Sequence, residues 1–190
     1  MAKELLQKVK QIHQRFPTGI VSAMRGKDSE TVKRLGIEPD AVDDWNRKNT
    51  AELERQITAA GFQFIRLLGS YAEGGDQVQR EVSFLVYSEK GKDPHDFVVS
   101  MGEKYDQDAV IVTPKAGEAS FVYTNDTAGE GNPKGKVEPL GGLKIDSDSE
   151  WASTIEDEPE SKFVYEKGGN DQRISEAVSI YASAIKSMRL

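Results

Sequence analysis

Tyr71, Glu73 and Glu81 crowd around a single turn in the stretch LLGSYAEGGDQVQREVSFLVYS, residues 67–88. In REVSFLVYS the period-two alternation of a strand puts Val82, Phe84 and Val86 on the core face, and Glu81, Ser83, Leu85 and Tyr87 on the other. Leu85 and Tyr87 mark this second face as partly covered. A carboxylate there requires a cation or hydrogen-bond donors, because burying it unpaired is costly. Tyr71 ends the strand before the turn, which brings its phenol near Glu81. Such a pair suits a polar, cationic ligand: the anion attracts positive charge and the ring face adds a cation–π interaction of about 0.5–1 kcal/mol or more. The alternative is an open face on which Glu81 is an ordinary solvated glutamate.

Other chemistries fit the sequence poorly. GEGNPKGK, residues 129–136, fails as a nucleotide-binding loop, since Gly129 lies one position too far from Gly135 and Val137 stands where a hydroxyl is needed. GSYAEGG carries Gly69, Gly74 and Gly75 without dinucleotide spacing and leads into a strand. The two histidines, His13 and His95, form no ligand pair, cysteine is absent, and no serine sits in an elbow sequence. No metal site and no cofactor are expected. With 32 acidic and 25 basic side chains the formal net charge is −7, so nucleic acid is not an expected partner. The acidic runs DSDSE (146–150) and EDEPE (156–160) read as a solvated linker, or alternatively as a decoy surface that mimics DNA. The lack of cysteine, of an apolar run of about 20 residues and of an apolar N-terminal block points to a cytoplasmic protein without a membrane partner.

The elements that must position Tyr71 and Glu81 follow from periodicity. Leu5, Val9, Ile12 and Phe16 predict a helix over 2–15, and TGIVSAMRG (18–26) predicts a buried strand after it. DAVDDWNRKNTAELERQITAAG (40–61) reads as a helix with Trp45, Leu53, Ile57 and Ala60 on one stripe, stopped by Gly61. FQFIRLLGSY and REVSFLVYS form a hairpin, DPHDFVVSMGEKY a second helix, and DAVIVTP with EASFVYTN a second hairpin. This order predicts an α+β fold: an antiparallel sheet with helices packed on one face, a ferredoxin-like sandwich, with extra N- and C-terminal helices. The chain divides into an α+β domain over 1–125, a loop-rich acidic extension over 126–170 with one strand at 161–167, and a terminal helix over 171–190. The apolar stripe of that last helix covers either its own domain or a neighbouring subunit.

Taken in order, VSAMRG (21–26), NRKNTAELERQITAAGF (46–62), GSYAEGG, REVSFLV, KYDQDAVIV with Gln107, and GEASFVYTN resemble the phage-encoded S-adenosylmethionine-cleaving enzymes, formerly called hydrolases and now understood as lyases. The resemblance covers residues 18–125. It implies that the substrate's own carboxylate attacks its γ-carbon, giving methylthioadenosine and homoserine lactone without water or cofactor. It also implies a homotrimer with S-adenosylmethionine bound between subunits, and depletion of the methyl donor that blunts restriction in an infected host cytoplasm. On this reading Glu81 and Tyr71 orient the methionine end as catalytic residues, and Ser22, Glu73, Ser83 and Gln107 shape or bind. The rival reading is a non-enzymatic acidic decoy or inhibitor that binds a host restriction or metabolic enzyme.

Overall fold

Every residue of TGIVS is buried, the pattern of a strand covered on both faces. Thr18–Ser22 forms the strand β1, which pairs on both sides. The computed structural model describes residues 2–27, 29–72, 78–126, 131–145, 152–155 and 158–166. Before and after β1 lie α1 (Ala2–Arg15), α2 (Glu30–Arg34), α3 (Val42–Ala59), β2 (Gln63–Ala72), β3 (Val78–Tyr87) and α4 (His95–Lys104). Then come β4 (Ala109–Thr113), β5 (Ala119–Tyr123), β6 (Val137–Ile145), β7 (Ala152–Ile155) and β8 (Glu158–Glu166).

The spatial order β4-β1-β3-β2, wholly antiparallel and with α3 and α4 as the crossovers, is the ferredoxin-like arrangement that the sequence predicts. The sheet does not stop there. It continues from β4 through β5, β6, β8 and β7, and β7 pairs with β2 to close a barrel. The extension read as loop with one strand therefore carries β6, β7 and β8 among its described residues. β6 was hidden because Pro139, Gly141 and Gly142 break its alternation; the register shift opposite Ala119 and Ser120 absorbs the irregularity, leaving Leu140 as the extra residue. β8 starts before the expected 161–167 strand and covers it to Glu166, with residue 167 outside the described residues. α2, capped by the Ser29 hydroxyl, lies in a stretch read only as a polar connection, being too short for periodicity to show. The expected helix over 171–190 lies outside the described residues.

Two apolar layers hold the sheet. On its outer face Phe84 and Val86 join Val21, Leu53, Ile57, Val98 and Val110 under α3 and α4. The helix α4 comes very close, since a Cβ on Gly19 would lie 2.7 Å from Val98 and one on Gly102 2.6 Å from Val110. On the inner face Ile20, Leu67 and Leu85 pack with Val9 of α1. The alternation expected for β3 is thus observed, with Phe84 and Val86 on one side and Leu85 on the other. His13 lies buried beside Thr18, with Nδ1 and Oγ1 2.9 Å apart, and burial pushes its pKa down to about 4. It is a neutral core histidine.

Candidate active site

Glu81 sits at one end of the inner face, paired across the hairpin with Gly69, while Ser83 pairs with Ser22 of β1. A Cβ on Gly69 would lie 3.6 Å from the Glu81 carbonyl oxygen and 4.0 Å from its Cβ, ordinary contact distances, so the glycine leaves this flank of Glu81 without a side chain but is not sterically required there. Glu81 as a residue is half-buried, but its carboxyl lies deep enough that burial is the leading influence and raises its pKa. The Ser22 hydroxyl and the charge of Arg25 oppose that rise, and Asp108 adds to it. Ser22 Oγ is itself held in place, donating to the Val82 carbonyl at 2.8 Å and accepting from the Met24 N–H at 3.0 Å.

After β1 the chain runs without regular structure through Met24 and Arg25, so side chains must satisfy its backbone. The Met24 carbonyl accepts from Gln107 Nε2 at 2.9 Å, and the Met24 sulfur accepts the Val82 N–H at 3.1 Å. Asn46 of α3 takes both backbone groups of Arg25: Oδ1 accepts its N–H and Nδ2 donates to its carbonyl, each at 2.9 Å. The Arg25 guanidinium then meets Asp108 at 3.4 Å and donates to Thr31 Oγ1 at 3.2 and 3.3 Å. Thr31 donates onward to Asp106, which also accepts from Arg34 at 2.7 Å, and Asn125 Nδ2 donates to Asp108 at 3.1 Å.

Gln107 is buried and locked. Its N–H donates to Gly102 at 2.8 Å and its carbonyl accepts from Thr124. Its side-chain amide faces two backbone carbonyls, those of Met24 and of Tyr105 at 3.4 Å. Carbonyls only accept, so chemistry fixes which way this amide points: the NH₂ must face them, and Oε1 is the acceptor that remains. Gln107 therefore offers an acceptor, as Glu81 does. A site built of acceptors suits a donor-rich or cationic ligand.

Of the residues singled out from the sequence, the structure brings Ser22, Ser83 and Glu81 onto one patch, and ties Gln107 to it through Met24. Tyr71 is placed by its backbone, opposite Gln79 on β2; its side chain and all of Glu73 lie outside the described residues. Arg25, Asn46 and Asp108 were missed, although all three fall inside the quoted motifs. Among the described residues no group of His, Asp and Glu could hold a metal ion, and no helix is long and apolar enough to cross a membrane.

No curated protein matches the chain. The family model described as "S-Adenosylmethionine lyase family" matches residues 37–167. That stretch holds Tyr71, Glu81, Ser83 and Gln107, and it runs past Asn125 through β6, β7 and β8, where the sequence motifs had found no counterpart. It begins after β1, so Ser22 and Arg25 lie outside it. With well over half of its length matched and an acceptor-lined site within the match, the chain belongs to the S-adenosylmethionine lyase family, enzymes that cleave S-adenosylmethionine.

Proposed function

We propose that the protein splits S-adenosylmethionine into 5′-methylthioadenosine and L-homoserine lactone by intramolecular displacement. The observation that carries this reading is Glu81, a desolvated carboxyl within the family match, whose offsetting cation Arg25 is already engaged by Asp108 and Thr31. Such a site leaves room for a positive charge brought by the ligand.

The reaction asks little of the protein beyond geometry. The sulfonium is a good leaving group, and one carboxylate oxygen of the substrate forms the new bond to Cγ as the Cγ–S bond breaks and its electron pair stays on sulfur. Holding the flexible methionine chain in an attack conformation can supply several kcal/mol, within the range of about 7–11 kcal/mol known for oriented intramolecular reactions. A carboxylate pressed on the sulfur would stabilise the ground state over the transition state, because positive charge is lost there. Glu81 therefore acts on the substrate ammonium, Gln107 Oε1 accepts from the same end of the molecule, Ser22 and Ser83 shape the wall, and Tyr71 orients the methionine chain with Glu73 beside it.

The resemblance further supports a homotrimer with the substrate between subunits, and a role in depleting the methyl donor during phage infection. Purified protein incubated with S-adenosylmethionine alone tests the reading: methylthioadenosine and homoserine lactone should appear in equal amounts with no acceptor present. S-adenosylhomocysteine, or unchanged substrate, would contradict it.

A further inference from the structure

We propose that Asn46 is a positioning residue of this site, a clamp on the backbone of Arg25 that sets the aim of Gln107; the inference rests on the lyase reading for its catalytic consequence, and on geometry alone for the clamp. Asn46 lies on the buried stripe of α3 formed with Val42, Thr50, Leu53 and Ile57, where an apolar residue would pack, and it is 5% exposed. Its two polar atoms are both used on one residue, in the way a neighbouring strand would pair with Arg25.

The clamp fixes more than Arg25. It holds the peptide that joins Met24 to Arg25, and the Met24 carbonyl in that peptide is the shorter of the two contacts made by the Gln107 amide, 2.9 Å against 3.4 Å to Tyr105. If this peptide rotates, the Gln107 NH₂ follows its acceptor or loses it, and Oε1 swings away from the ligand. The preceding peptide, between Ala23 and Met24, carries the Met24 N–H that holds Ser22 Oγ, and Arg25 carries the guanidinium that meets Asp108. One amide on a helix thus keeps groups from β1, β3 and the α4–β4 turn in register. A displacement on the order of 1 Å in such a site costs about 100-fold in rate.

Asn46→Ala in the full chain should lower kcat for S-adenosylmethionine by about 30- to 100-fold while KM moves by less than about 3-fold. Leu53→Val, which loosens core packing of the same helix without touching the clamp, should lower the melting temperature and leave kcat unchanged. Asn46→Asp keeps the acceptor for the Arg25 N–H but faces its carbonyl with an anion. Its rate relative to wild type should recover as pH falls, because a protonated carboxyl again offers both donor and acceptor. In NMR spectra of wild type and Asn46→Ala, the Gln107 side-chain amide signals should shift and the Arg25 amide should exchange faster in the variant. Equal kcat losses in the Leu53 and Asn46 variants, or unmoved Gln107 and Arg25 signals, overturn the clamp. If wild type leaves S-adenosylmethionine intact, the lyase reading is what fails, and the two NMR signals alone decide for or against the clamp.

Discussion

Glu81→Gln will lower kcat/KM for S-adenosylmethionine by about 100-fold, the scale of removing one preorganised electrostatic group, and will at the same time make the ligand-free protein harder to unfold. The two effects share one cause. Burial raises the Glu81 pKa, so the folded state holds a proton that the unfolded chain has already released between the ordinary carboxylate pKa and the raised one. Stability contributed by this group is therefore present at low pH and is lost as pH rises through that window; above it the folded state carries the full penalty of a buried anion. The glutamine keeps the shape and removes that penalty. Thermal unfolding of the two proteins should diverge at neutral pH, with the variant higher, and converge as the medium is acidified. Wild-type KM should rise on acidification as Glu81 takes up its proton, while the KM of the variant stays flat. Tyr71→Phe, which removes only a hydroxyl, should lower turnover with no such pH signature. Normal turnover by both variants would remove Glu81 and Tyr71 from the site.

The second large effect is on the fold. Arg25→Met keeps the aliphatic stem but leaves the Asp108 carboxylate without its cation, in a place where the two side chains are 8% and 13% exposed. Breaking a buried pair from one side costs about 3–5 kcal/mol, and the Asn125 amide, which still donates to Asp108, keeps the expected loss near the lower bound. Adding Asp108→Asn removes the stranded charge, so the double variant should be more stable than Arg25→Met alone. Denaturant midpoints of wild type, both single variants and the double variant close the cycle. Additive losses would show that the pair does not couple. Activity should fall in Arg25→Met too, since Arg25 offsets the rise of the Glu81 pKa.

Much of the frame was legible in the chain because it is built from local patterns. The antiparallel pairing of β2 with β3, the Gly61 stop after α3 with φ 78°, and the alternation of β3 each declare themselves within a few residues. β6 did not, because proline and glycines replace the alternating residues and only its partners β5 and β8 reveal it as a strand. The closure of the barrel was illegible for the same reason. Glu81 was readable as a glutamate on a covered face. Its surroundings were not: Arg25 and Asp108 are 83 positions apart, as are Met24 and Gln107, and no periodicity links them. Asn46 left a faint trace, a polar residue on a helix whose neighbours at i−4, i+7 and i+11 are apolar, but Trp45 drew the stripe one position away.

The measurement that bears most directly on self-cyclisation is turnover in ¹⁸O-labelled water, followed by mass analysis of the four-carbon product. Attack by the substrate's own carboxylate predicts unlabelled homoserine lactone, and any homoserine formed later by ring opening should carry the label in its carboxyl group alone. Label in the γ-hydroxyl oxygen would mean that water attacked Cγ, and a site that only positions its substrate would then be the wrong description of this protein.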